Sequence, residues 1–413
     1  MKKLFIFLLL ISLLLSSVFM FSACGQRVRK FYIYNWGEYM PLGDEGMMNV
    51  PKEFEAYYNA THDEKIKVVY SIFSSNEDMY AKMKNGTSKI DLVIPSDYMV
   101  ARLISEGMLQ KLDFENIPNY SYIDSQFKNT DGQANGPYFD PSCEYSVPYT
   151  YGTVGLIYNS TMVDEEDVST WRVLWNEKYT GMILNFNNSR DAFGIAQYIL
   201  SSETGHTSQD DNYVNTSDKS RWDEALALLQ AQRPYMQAYV MDEVYNKMES
   251  GAAALAPYYA GDFYTMQEIN EDLAFSYPEE GTNIFVDAMC VPKSSKNRDI
   301  AEEFINFVLE PEIALEIAEY ICYACPNTAV TSNENYSFIG DEILYPDTDT
   351  MPFYYFENLD TETLRYANSL WEKLKVESSS GMGIYVFASL IVLGCIVFAV
   401  FLAIKKRILR KYY

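Results

Sequence analysis

An alternation of strand-like and helix-like runs between Lys30 and Leu109 most narrows the folds open to this chain. "KFYIYNW" (30–36) has the β-branched and aromatic composition of a strand. "VPKEFEAYYNA" reads as a helix with Pro51 near its first turn. "KIKVVYSIF" is a second strand. "SSNEDMYAKMKNG" is a second helix, with Ser74 and Glu77 at capping-box spacing and Gly86 as its stop. "KIDLVIPS" is a short apolar run closed by Pro95, as in a buried strand. "DYMVARLISEGML" is a third helix, ending at Gly107. This order predicts an α/β domain whose mostly parallel sheet is covered on both faces.

Further along, "YSVPYTYGTVGLIYNS" is strand-rich and punctuated by glycine, and predicts a crossover into a second lobe. That lobe has helices in "DEALALLQAQRPYM" and "MDEVYNKMESG" and a strand in "AAALAPYYA". "NIFVDAMCVPK" reads as a strand returning to the first lobe. "NRDIAEEFINFVLEPEIALEIAEYI" is two helices broken at Pro311. The expected division is lobe 1 from 24–151 and 287–331, and lobe 2 from 152–286 and 332–376. Two α/β lobes joined by more than one crossover make a hinged cleft, and ligands of such sheets bind outside the carboxyl ends of the strands.

Both ends carry membrane-related signals. Lys2 and Lys3 precede the apolar run Leu4 to Met20, and "FSACGQ" places Ser22 and Ala23 before Cys24. This is the pattern of a lipoprotein signal over 1–23, with Cys24 as the lipidated residue; Phe21 stands where Leu is usual, and a plain secretory signal is the alternative. At the other end, 377–383 reads as a flexible tether. Residues 384–404 carry no charge and have about the 20-residue length of a membrane-spanning helix, and the basic tail 405–413 is expected on the cytoplasmic side. The main body is therefore expected on the extracellular or periplasmic face of the cell membrane, lipid-anchored and single-pass.

The formal charge of −25, from 57 acidic and 32 basic residues, excludes nucleic acid as a partner, since phosphate binding needs a basic footprint. It suits a cationic ligand. The two histidines, His62 and His206, stand far apart in the sequence and support neither a metal site nor a catalytic triad. Among the six cysteines, Cys24 belongs to the signal and Cys395 to the apolar span. "CYAC" (Cys322 to Cys325) has redox spacing but lacks a strand feeding a helix that starts at its first cysteine. A local disulfide or two buried thiols are the other readings.

"FYIYNWGEYM" (31–40) raises the question of why a strand end gathers so many aromatic rings. Core packing is one answer and a binding wall is the other. Eight ordered strings, "YIYNWGEY", "SNEDMYAKM", "DLVIPSDYMV", "EGMLQKLD", "YSVPYTYGTVGLIYN", "SRDAF", "VDAMCVPKSSKNRDIAEEFINFVLEPEIA" and "ILYPD", make the chain resemble the polyamine (spermidine/putrescine) substrate-binding proteins of bacterial ABC transporters. The resemblance runs from about Lys30 to Lys375. It implies the two-lobed, type II periplasmic-binding fold that closes by hinge bending. It also implies no cofactor and no enzymatic activity, a monomer, a polyamine ligand and the permease subunits as partners.

The same resemblance implies the site. Trp36 and Tyr39 match aromatic positions of the family, and Ser96 and Tyr98 match the next ligand-contacting positions. Asp191 matches a family carboxylate, while Asn188 departs from the Asp that spermidine receptors tend to carry. "YYAGD" places Tyr259 where Trp is usual and Asp262 at a ligand carboxylate. Phe285 fills another aromatic slot, Asp287 is the central ammonium-binding carboxylate, and Tyr323 matches a ligand tyrosine. Glu357 falls where the family carries Gln. The chemistry agrees: a polyamine is a string of ammonium groups joined by methylenes, held by carboxylates and aromatic faces. For Phe285, Tyr259 and Tyr323 the alternative is core packing, and for Asp191 a solvated helix cap. Asp287 sits in an otherwise apolar run, where an unpaired charge is costly.

Other functions on this pattern are a receptor of the same fold for ferric iron or another cation, an extracellular enzyme, or a sensor signalling through 384–404. The Trp36 wall argues against iron, no nucleophile elbow, phosphate loop or zinc motif is present, and nine residues after Ile404 leave no signalling domain.

Overall fold

Strand β1 (Arg29–Trp36) pairs in parallel with β2 (Ile66–Phe73), with Phe31 opposite Val68 and Tyr34 opposite Ser71. Phe31 and Ile33 are fully buried. They face the helix Val50–Thr61, which Asn49 caps by accepting the Lys52 N–H at 3.0 Å and which turns Val50, Phe54 and Tyr58 inward. The Phe31 ring lies 6.1 Å from Phe54 and 5.8 Å from Phe304. The short β3 (Leu92–Val93) pairs with the other edge of β1 and leads into the helix Asp97–Ser105.

The computed structural model describes residues 28–129, 137–208, 211–348 and 350–376. The signal at 1–23 with Cys24, the tether at 377–383, the apolar span at 384–404 and the basic tail at 405–413 lie outside the described residues. Among the described residues no helix is long and apolar enough to cross a membrane.

The chain continues through β4 (Ser146–Asn159), β5 (Ile183–Phe186), β6 (Met236–Val240), β7 (Leu255–Tyr259), β8 (Leu273–Ser276), β9 (Thr282–Cys290) and β10 (Phe353–Tyr354). One sheet runs β2-β1-β3-β9-β4-β7-β5-β6, with β8 added beside β4 and β10 beside β9. The expectation of a mostly parallel sheet holds for β1, β2 and β3 and is corrected at the centre of the sheet. β1/β2, β1/β3, β5/β6, β5/β7 and β9/β10 are parallel, but β3/β9, β4/β9, β4/β7 and β4/β8 are antiparallel. The physical reason is the crossover itself. β4 carries the chain out of the first core and β9 brings it back, and two adjacent strands traversed out and back must be antiparallel.

The first apolar core draws on Phe31 to Tyr149 and on Val286 to Tyr323. The second draws on Val154 to Leu273 and on Tyr354 to Leu374. A second correction is local. Ser75, not Ser74, caps the helix Asn76–Lys84, accepting the Asp78 N–H at 3.1 Å. Ser74 and Glu77 have capping-box spacing, but the helix begins one residue later than that pair requires. The sequence reading also missed β5, β8 and the buried helix Ser189–Thr204, which ends at the left-handed Gly205 (φ 77°). Cys143, Cys290, Cys322 and Cys325 are free thiols, so of the readings left open for "CYAC" the disulfide is set aside.

β8 packs on β4 through Phe275, whose ring lies where a side chain on Gly155 would have to go. Gly155→Ala therefore overpacks a buried contact, and a loss of about 1–3 kcal/mol in unfolding free energy is expected. Urea unfolding of parent and variant checks it, and an unchanged midpoint would mean that Phe275 moves aside without cost.

Candidate functional site

The cleft is built around a bulge. Along the β4/β9 ladder Pro148 faces Ala288 and Thr150 faces Asp287, so Tyr149 is the extra residue. Proline cannot donate to a ladder, and a bulge at this point re-aims the neighbouring side chains. The Tyr149 hydroxyl donates to the Tyr39 carbonyl oxygen at 2.6 Å. The Tyr39 hydroxyl in turn donates to Asp287 Oδ2 at 2.6 Å.

Asp287 is 3 % exposed, and its Oδ1 is buried without a hydrogen-bond partner. Burial pushes its carboxyl up to about 6, while the Tyr39 and Ser96 hydroxyls pull the other way. Ser96 also meets Asp287 through a backbone bridge. Asp262, in the first turn of the helix Ala260–Ile269, is likewise raised to about 6 by burial. The Tyr323 hydroxyl donates to its Oδ2 at 3.1 Å, and Tyr245 supplies a second hydroxyl.

A third carboxylate lies at the start of the helix Ser189–Thr204. Asn188 is its N-cap: Oδ1 accepts the Asp191 N–H at 2.9 Å, and Nδ2 donates to Asp191 Oδ2 at 2.6 Å. The Tyr259 hydroxyl donates to the same Oδ2 at 3.2 Å. Burial raises the Asp191 carboxyl as well, opposed first by the Asn188 and Tyr259 hydrogen bonds. Neutral hydroxyl and amide groups thus hold Asp191, Asp262 and Asp287, and no lysine or arginine forms an ion pair with any of them among the described residues.

Aromatic rings connect these acids. Tyr39 stands edge-on to Tyr323 at 5.6 Å, Tyr323 meets Phe285 at 6.0 Å, and Phe285 meets Tyr259 at 5.5 Å. Two glycines make room for Tyr323. A side chain on Gly152 would stand 2.8 Å from both Phe285 and Tyr323, and one on Gly261 would enter the Tyr323 ring. Two non-glycine residues in the left-handed region aim the tyrosines. Glu38 (φ 49°) precedes Tyr39, and Cys322 (φ 54°) precedes Tyr323. The Tyr320 hydroxyl donates to Glu38 Oε2 at 2.9 Å and ties the two turns together. Cys322 ends a helix rather than starting one, and burial raises its thiol to about 12, the opposite of a reactive redox cysteine.

The structure therefore brings Tyr39, Ser96, Asn188, Asp191, Tyr259, Asp262, Phe285, Asp287 and Tyr323 into one connected network. Trp36, Tyr98 and Glu357 are held by other partners. Trp36 packs on Phe73 at 4.5 Å and buries an unpartnered Nε1. The Tyr98 hydroxyl accepts from Asn76 at 3.0 Å and donates to Glu77 at 3.1 Å. Glu357 offers its carbonyl oxygen to Arg190 at 3.4 Å. The reading from sequence missed Asp97, Tyr138, Tyr149 and Tyr245. Of these Asp97, Tyr149 and Tyr245 lie inside quoted strings, and nothing in their spacing marks them. His62 and His206 lie beside Glu303 and Asp211, away from the cleft. A small apolar cavity of about 20 Å³ behind Tyr323, lined by residues such as Met289 and Ile317, has room for little more than one water.

The model of the bacterial extracellular solute-binding proteins matches residues 52–338. A spermidine/putrescine-binding periplasmic protein of Escherichia coli is 32 % identical over 321 residues, covering 78 % of this chain and 84 % of that one. A putrescine-binding periplasmic protein of Pseudomonas aeruginosa is 27 % identical over 360 residues, covering 83 % and 91 %. Among solved structures, a putative spermidine/putrescine ABC transporter protein from Listeria monocytogenes superposes with a TM-score of 0.72 at 32 % identity, covering 84 % of this chain and 99 % of that one. The chain belongs to the bacterial extracellular solute-binding protein family.

The raised pKa of Asp287 has a sign that can be checked. Its folded value of about 6 lies above the ordinary aspartate value near 3.9, so its contribution to stability is full below that ordinary value and is lost as pH rises through 6. Asp287→Asn mimics the neutral acid. The ligand-free variant is expected to melt above the parent at about pH 8, with the gap closing below pH 6. A gap that is the same at both pH values would refute the assignment of a strained, buried charge.

Proposed function

We propose that this member of the family is the substrate-binding receptor of an ABC transporter and captures polyamines, putrescine or spermidine or both, for delivery to the permease. Asp287 Oδ1 carries this reading: a buried carboxylate oxygen with no partner, inside a ring of tyrosines, calls for a donor that is itself charged. The aromatic chain Tyr39–Tyr323–Phe285–Tyr259 supplies faces for ammonium groups and for the methylenes between them. Asp262 and Asp191 supply acceptors farther along the cleft, and Trp36, Ser96, Tyr98, Asn188 and Glu357 complete the proposed lining. The Escherichia coli and Pseudomonas aeruginosa relatives are named for the same ligand class.

A ferric site is not favoured, because the relatives reported above are named for spermidine and putrescine. The receptor is proposed to stand on the outer face of the membrane, held by a lipid on Cys24 and by the apolar stretch 384–404. Two anchors would keep it at high local concentration beside its permease.

Calorimetric titration with putrescine, spermidine, spermine and Fe(III) tests the ligand class. Polyamine binding is expected, and Asp287→Asn is expected to weaken it by about 2–4 kcal/mol, or roughly 30- to 1000-fold. Binding of iron in preference to every polyamine, or a variant within threefold of the parent, would overturn the reading. For the anchors, Cys24→Ala is expected to remain in the membrane fraction and to leave it only when the residues after Ser380 are also deleted. Fractionation and immunoblotting read this out, and uncleaved Cys24→Ala protein in the medium would remove the second anchor.

A further inference from the structure

Glu77 is the second residue of the helix Asn76–Lys84, and the function proposed above gives it no part. Its spacing from Ser74 goes unused, because Ser75 caps the helix. The Glu77 carboxylate turns instead to Tyr98, whose hydroxyl donates to Oε1 at 3.1 Å. The direction of that bond is fixed from behind. Asn76 is buried and its Oδ1 accepts the Ser96 N–H at 3.2 Å, which leaves Nδ2 to donate to the Tyr98 oxygen at 3.0 Å. A hydroxyl has one hydrogen, and that of Tyr98 goes to Glu77. Ser96 joins the same wall to the centre of the cleft, since it bridges Asp287 through its backbone and bonds the Asp287 carboxylate through its hydroxyl. One line of polar contacts therefore runs from Asp287 through Ser96, Asn76 and Tyr98 to Glu77. It starts at a buried oxygen without a donor and ends at an exposed carboxylate.

The opposite wall ends in the same way. Tyr259 donates to Asp191 as Tyr98 donates to Glu77. Both tyrosines pack against both apolar cores, so the two tyrosine–acid pairs meet where the lobes face each other. There the charge of Glu77 opposes that of Asp191. Asn188, at the same end, brings an amide and no charge. Asp78, the neighbour of Glu77, pairs with Lys82, while among the described residues no lysine or arginine pairs with Glu77. Two like charges, each held by a neutral hydroxyl, are relieved by a cation placed between them. The cleft then has three acidic stations: Asp262 beside Tyr323, Asp287 beside Tyr39, and Asp191 with Glu77. A triamine has an ammonium group for each station, and a diamine fills two.

We propose that Glu77 is a specificity-determining residue of the cleft, and that with Asp191 it holds the outermost ammonium group of a triamine, a group that a diamine seated at Asp287 and Asp262 does not have. The inference rests on the polyamine reading of the cleft and deepens it. The other role open to an acid in the first turn of a helix is to stabilise that helix against its dipole. Such a role acts on the folded chain whether or not ligand is present, and it does not distinguish one polyamine from another.

Calorimetric titration of the full-length protein in detergent, with putrescine and with spermidine, separates the two roles. At about 0.05 M salt Glu77→Gln is expected to weaken spermidine about three- to tenfold and putrescine less than about twofold. The difference is expected to shrink at about 0.5 M salt, since Glu77 is exposed and its charge is screened. Tyr98→Phe releases the Glu77 carboxylate and is expected to shift the ratio of the two affinities the same way. The double variant is expected to lose less than the sum of the two, as for groups that act together. Should Glu77→Gln fail to fold, Tyr98→Phe carries the same test. Equal weakening of both ligands, an unchanged ratio at low salt, or a parent that binds putrescine but not spermidine overturns this inference alone. A parent that binds no polyamine overturns it together with the function it rests on.

Discussion

The hydrogen bond from Tyr39 to Asp287 is the contact on which the rest of the cleft depends. Asp287 sits in the middle of β9, where the sheet would otherwise be apolar, and a lone carboxylate there is costly. One hydroxyl satisfies one of its oxygens. The other, Oδ1, is buried without a hydrogen-bond partner, and burial pushes the carboxyl up to about 6. In the proposed reading an ammonium group supplies the missing donor. Tyr39 is in turn held by Tyr149, and Tyr149 owes its position to the bulge between Pro148 and Thr150.

The same economy recurs on the other wall. Tyr323 reaches Asp262 because Cys322 adopts a left-handed turn that only a few per cent of non-glycine residues adopt, and because Gly152 and Gly261 leave a slot for its ring. Tyr39 and Tyr323 are thus aimed by backbone rather than by their own flexibility. The Glu38–Tyr320 hydrogen bond joins the two aiming turns, so a shift in one is felt at the other.

Much of this was legible in the sequence where the signal is local. The alternation of β1, β2, β3 and their helices, the break at Pro311 and the glycine stops at Gly86 and Gly107 all follow from residue chemistry within one turn of chain. The family strings led to nine side chains that the fold connects. What was not legible is set by partners far away in sequence. The antiparallel centre of the sheet depends on β9 returning beside β4, more than a hundred residues later. Asp97 looks like an ordinary acid at a helix start, and only its burial against the returning β9 makes it unusual. Tyr149 reads as one more strand residue, since a bulge has no signature until the opposite strand is known. Asn188 looks like a lost charge and is also a helix cap.

The passage of β4 and β9 through both halves of the molecule bears on how the chain is made. The first core cannot close on Phe31 to Tyr149 alone, because its central strand and two of its covering helices come from Val286 to Ile321. During synthesis the amino-terminal third must therefore wait, without its middle strand, until most of the remaining chain has appeared. Pairings between residues so distant in sequence form slowly. If the amino-terminal segment acts as the export signal read from the sequence, such a delay is an advantage: the chain would stay threadable during export and gain its first complete core only afterwards.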